Sequence, residues 1–141
     1  MKKIALFGGS GLTGKSFLKQ ALDKGYQIKA LARTPDKIKL DSKNLEIIKG
    51  DVLNVKDVKK VVESTDIVVS LFGHVKGSPE HLQTNGTSNI ITTMEQFNVN
   101  RIISLSGCGL PFPEKDQPKI PDKIIRGIMK IFFSKILEDA I

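Results

Sequence analysis

The chain has 141 residues, 40% of them hydrophobic, which is enough for one domain with a substantial core and ordinary for a globular protein. The net charge is +7, but the lysines are spread along the chain, tryptophan is absent and no basic run is interleaved with aromatics, so a nucleic-acid partner is not expected. A single cysteine, Cys108, excludes an intramolecular disulfide, no run is long enough for a membrane helix, and only four apolar residues follow Met1-Lys2-Lys3 before glycines begin, so a cytoplasmic protein without membrane contact is expected.

An apolar strand over 2–7 runs into Gly8-Gly9-Ser10-Gly11-Leu12-Thr13-Gly14-Lys15-Ser16, where a helix over 11–24 begins. This segment fits two phosphate-binding formulas, Gly8-x-x-Gly11-x-x-Gly14 of a dinucleotide turn and Gly9-x4-Gly14-Lys15-Ser16 of a P-loop. Both aim the free N–H groups of a helix start at an anion. Next come a strand over 26–33, a short helix near 35–39, a strand over 45–49 and a helix over 54–63. A strand over 66–71, a helix over about 80–97, a strand over 101–106 and a helix over 122–138 complete the chain. The alternation predicts a single α/β domain over 1–141, a Rossmann-type doubly wound parallel sheet with strand order 3-2-1-4-5 and a ligand across its carboxyl ends.

The other strands arbitrate between the two formulas. A P-loop needs a magnesium-holding aspartate at the end of a neighbouring strand. The strands at 66–71 and 101–106 end instead in Leu71-Phe72-Gly73 and Ser106-Gly107. A dinucleotide fold needs a second strand ending about 20 residues past the glycines, at the adenosine ribose; the strand over 26–33 meets that need and ends in Arg33. An acidic residue there would bind the ribose hydroxyl of NAD, whereas Arg33, with Lys37 one turn beyond Thr34, suits the extra phosphate of NADP(H). Arg33 as a plain surface cation is the alternative.

The glycine turn, Arg33, Gly50-Asp51-Val52 after the third strand and Leu105-Ser106-Gly107 at the fifth together resemble the atypical short-chain dehydrogenase/reductases. The nearest branch is the NAD(P)H-binding, NmrA-like and flavin reductase/biliverdin-IXβ reductase group. The resemblance implies that Gly8, Gly11, Leu12, Thr13, Gly14 and Arg33 hold the cofactor, with NADP(H) preferred over NAD(H). It implies that Asp51 and Val52 line the adenine, that Phe72 and Gly73 pass beneath the nicotinamide ribose, and that Ser106 sits beside the reacting ring. The chain departs from the family pattern in lacking a Tyr-x-x-x-Lys pair, since its one tyrosine is Tyr26 at the amino edge. It also stops at Ile141, where family members continue into a sixth strand, so the substrate-side elements are expected to be missing or replaced by a partner chain.

Ser106 is the first catalytic candidate, able to hydrogen-bond a substrate carbonyl or to cap the following turn. His74, in the loop 72–79, is the second, as an acid or base near neutral pH; His81 and Cys108 are weaker, and no metal spacing occurs. That loop and the proline-rich segment 107–121 are candidate walls for a small-molecule acceptor. The helix over 122–138 carries a broad apolar face that can pack on the sheet, form a homodimer contact or lie on a membrane surface. Three functions follow: an NADPH-dependent reductase of a flavin, quinone or similar planar acceptor, a non-catalytic NADP(H) sensor, or a P-loop nucleotide triphosphatase.

Overall fold

The computed structural model describes residues 2–105. Five parallel strands, β1 (Lys3–Phe7), β2 (Gln27–Ala32), β3 (Leu45–Lys49), β4 (Ile67–Ser70) and β5 (Ile102–Ser104), lie in the order β3-β2-β1-β4-β5. Helices α1 (Leu12–Asp23), α2 (Val55–Val62) and α3 (Leu82–Gln96) make three of the crossovers, and a 3-10 turn over Pro35–Lys37 lies between β2 and β3. The order reverses between β1 and β4, the neighbours on either side of the point from which the chain winds outward. The predicted strand order stands.

The two-residue period of a strand sorts the core into two layers. Ala5 and Phe7 face α2 and α3, packing with Val58, Val61, Val62, Ile90 and Met94. Ile4 and Leu6 face the other way, with Leu18 and Ala21 of α1. Phe7 and Leu6 are almost wholly buried, and burial of side chains this size stabilises by about 1.5–3 kcal/mol each. No described element lies beyond β5, and Ile102, Ile103 and Leu105 are exposed.

Boundaries move by a residue or two for local reasons. The helix predicted to 24 ends at Asp23, because Gly25 takes a φ of 81° and its N–H reaches the Leu22 carbonyl while Tyr26 N–H reaches that of Ala21. This left-handed cap spends the donor of Tyr26 on α1, so β2 starts one residue later than predicted. Asp66 stays outside β4, since its carboxylate accepts the Lys3 N–H at 2.7 Å. The fifth strand is shorter than predicted, although Leu105 N–H still bonds the Ser70 carbonyl. Ser106, Cys108, the segment 107–121, the helix over 122–138 with its proposed dimer contact and any sixth strand lie outside the described residues. Among the described residues no helix is long and apolar enough to cross a membrane.

Candidate functional site

The carboxyl ends of β1 to β4 open on a cleft of about 470 Å³. Its walls come from four segments: Gly8, Ser10 and Gly11 after β1; Arg33, Thr34 and Lys37 after β2; Gly50, Asp51 and Val52 after β3; and Phe72 to Val75 after β4. These are the segments that the sequence picks out, and parallel winding brings them to one edge. Of the expected residues, Gly8, Gly11, Arg33, Asp51, Val52, Phe72, Gly73 and His74 line the cleft. Leu12, Thr13 and Gly14, on the first turn of α1, are not among the described lining residues; Leu12 and Thr13 are exposed and Gly14 is buried.

The three glycines of the turn differ in what surrounds them. Gly8 has a φ of 88°, and a Cβ there would strike the backbone of Leu71 and Phe72, where β4 leaves the sheet. A Cβ on Gly14 would strike the Gly8 carbonyl and come within 2.7 Å of Gly9 Cα, so this glycine lets α1 close onto the turn that follows β1. Gly11, with a φ of −75°, has only the Gly8 carbonyl near, at 3.6 Å from a notional Cβ, which is ordinary contact. The fold itself does not demand glycine at 11.

The N-terminus of α1 is open to an anion. Its cap, Gly11, offers no side-chain acceptor, and the first turn carries no acidic residue. The N-terminus of α2 is closed by contrast, since Asn54 Oδ1 accepts the Lys56 N–H at 3.0 Å and Asp57 sits in the first turn. Unsatisfied N–H groups and the helix dipole both favour negative charge at the open end. Arg33 and Lys37 are exposed on the same cleft, beyond β2. Asp51 is the one carboxylate among the described lining residues, and its Oδ1 accepts the Leu53 N–H at 2.9 Å.

Lys15 is exposed and lies outside the described lining. The lysine of the P-loop formula is therefore not among the described lining residues, while Gly14 brings the first turn of α1 tightly against the Gly8-Gly9 turn that follows β1, a close approach in keeping with the last glycine of a dinucleotide turn. His74 lines the cleft, partly buried, whereas His81 is the exposed left-handed cap of α3, with a φ of 55°. Among the described residues no group of His, Cys, Asp and Glu could hold a metal ion.

Sequence reasoning passed over four residues that shape the cleft: Leu82 in its lining, and Asp57, Gly86 and Asn89, which brace it from behind. Asp57 Oδ2 accepts the Asp51 N–H at 3.2 Å. The Lys60 ammonium, 3.0 Å from Oδ1, and then the Asp51 N–H hold its carboxyl below the usual carboxylate range. The spacing of these residues on two amphipathic helices carries no sign of what they touch.

Comparison with known proteins agrees with this geometry. The family model described as NAD(P)H-binding matches residues 8–135. The uncharacterized protein YwnB of Bacillus subtilis (strain 168) is 27% identical over 132 residues, covering 87% of this chain and 59% of YwnB. Cinnamoyl-CoA reductase 1 of Petunia hybrida is 25% identical over 137 residues, covering 85% of this chain and 40% of the reductase. The solved structure of a Rossmann-fold NAD(P)-binding family protein from Shigella flexneri superposes with a TM-score of 0.67 at 26% identity, covering 93% of this chain and 61% of that one. The chain thus spans less than two thirds of each of these relatives.

Proposed function

This chain belongs to the NAD(P)H-binding family of the atypical short-chain dehydrogenase/reductases, and we propose that it is an NADPH-dependent reductase of a flavin, quinone or similar planar acceptor. The observation that carries the NADP(H) preference is the pair Arg33 and Lys37 on the cleft rim beyond β2, where a carboxylate would favour NAD(H). Bound NADPH would supply hydride. The chain's own part is to receive the pyrophosphate at the open N-terminus of α1, the 2′-phosphate at Arg33 and Lys37, and the adenine against Asp51 and Val52. Phe72 and Gly73 then carry the nicotinamide end, with the acceptor against His74 and Val75.

No tyrosine serves as proton donor in this reading, because Tyr26 packs with the core layer under α1 at the amino edge. Solvent supplies the proton, or His74 does. Parallel calorimetric titrations with NADPH, NADH and Mg-ATP, on wild type and Arg33→Ala, test the cofactor reading. The expected result is an NADPH preference that the mutant loses; ATP binding that vanishes in Lys15→Ala would restore the P-loop reading instead. Steady NADPH oxidation with menadione or a flavin then supports the reductase. A second reading, an NADP(H)-sensing regulator, predicts tight cofactor binding without turnover on any acceptor.

A further inference from the structure

The turn Gly50-Asp51-Val52 is one wall of the cleft, and two helices hold it in place. From α2, Asp57 takes the Asp51 N–H. From α3, Asn89 Nδ2 donates to the Val52 carbonyl at 3.0 Å, a partly buried bond between residues 37 apart in sequence. One turn earlier on α3, Gly86 leaves so little room that an added Cβ would lie 2.9 Å from the Phe72 ring and 3.0 Å from Val52 Cγ1. Gly86 and Asn89 therefore form one contact surface, against which both the turn after β3 and the loop after β4 rest. Neither residue suits a helix interior, where glycine and asparagine are poorer than alanine or leucine. Their tertiary contacts give them a role that helix formation does not.

We infer that Asn89 is a positioning residue for the adenine end of the dinucleotide, acting through the Val52 carbonyl rather than by touching the ligand. The inference rests on the dinucleotide reading above. The bond from Asn89 fixes the backbone on which Val52 presents its side chain to the cleft, and Gly86 sets the depth at which Val52 and Phe72 seat on α3. Loss of the donor frees the adenine wall and leaves the open N-terminus of α1 and the Phe72 loop as they were.

The test compares wild type with Asn89→Asp, which keeps the volume but replaces the donor with an acceptor, and Asn89→Ser, which is milder and too short to reach Val52. Each is titrated with NADPH, with adenosine 2′,5′-bisphosphate as the adenine half and with nicotinamide mononucleotide as the other half, and its melting temperature is recorded. Should NADH be the tighter dinucleotide, AMP replaces the bisphosphate. The expected result is a loss of about tenfold for NADPH and for the adenine half, as for a partly buried bond replaced by an unmet acceptor. The nicotinamide half stays within about twofold, the effect of a contact not involved. Equal weakening of both halves, or unchanged binding of the adenine half, overturns the role of Asn89. Wild-type protein that binds neither NADPH nor NADH overturns the dinucleotide reading itself, and this inference with it.

Discussion

At the scale of single residues, Gly11 and Gly8 make opposite demands. Gly11→Ala adds a Cβ at ordinary contact distance in a φ that any residue adopts, so folding stability should change by no more than about 0.5 kcal/mol. The added methyl stands at the N-terminus of α1, where a pyrophosphate must approach the backbone, so dinucleotide affinity should fall at least about tenfold. Urea unfolding and calorimetry separate the two effects. Gly8→Ala, with a left-handed φ and the Leu71-Phe72 backbone after β4 in its way, should instead cost stability of roughly 1–3 kcal/mol or more before any ligand is added. Arg33→Ala removes an exposed cation, so its melting temperature should stay near that of wild type while NADPH affinity drops by about tenfold to a hundredfold, the worth of a charge-assisted contact to phosphate. An equal loss for NADH would show that Arg33 does not read the 2′-phosphate.

At the scale of elements, α1 and α2 divide the work through their N-termini. The N-terminus of α2 is satisfied from within, so Asn54→Ala should cost about 1 kcal/mol of stability by removing the cap of the Lys56 N–H. Asp57 adds a dependence on pH. The Lys60 ammonium and the Asp51 N–H favour its charged form in the folded chain and lower its pKa relative to the unfolded chain. The stabilisation is therefore complete above about pH 4, the ordinary range of a carboxyl, and is lost as pH falls through the lower folded value. Unfolding curves of wild type and Asp57→Asn should differ near neutral pH, begin to approach one another below about pH 4 and converge once pH has fallen through the lowered folded value; a gap that persists in stronger acid would mean that the charge of Asp57 is not what holds the turn. The N-terminus of α1, left open, responds to an added anion instead of to mutation of a cap.

At the scale of the whole molecule, the cleft draws on four strand ends that are far apart in sequence, so a bound dinucleotide ties β1, β2, β3 and β4 together. Binding to the folded state alone stabilises it by mass action, about 2.7 kcal/mol when free ligand is near a hundred times Kd. Saturating NADPH should raise the melting temperature by several degrees, more than NADH at equal concentration, and the shift should shrink in Arg33→Ala. No shift with either cofactor would remove the cleft from consideration as a dinucleotide site.

The sequence by itself determined the α/β class and the strand order, because alternating apolar strands and amphipathic helices leave few right-handed ways to wind a parallel sheet. It also marked Gly8, Gly11 and Arg33, which the fold then brings to the lining of one cleft. Tertiary structure added to the dinucleotide formula, which the other strands already favoured, what its residues meet in space: Gly14 packs the first turn of α1 on the Gly8-Gly9 turn after β1, and Lys15 stands outside the described lining of the cleft. It likewise disclosed Asp57, Gly86 and Asn89, polar and small residues on helices whose amphipathic pattern is satisfied without them. A side chain's bond to backbone 37 residues away has no periodicity and no neighbouring motif to announce it; it exists only once two helices and two loops have been packed onto the same edge of the sheet.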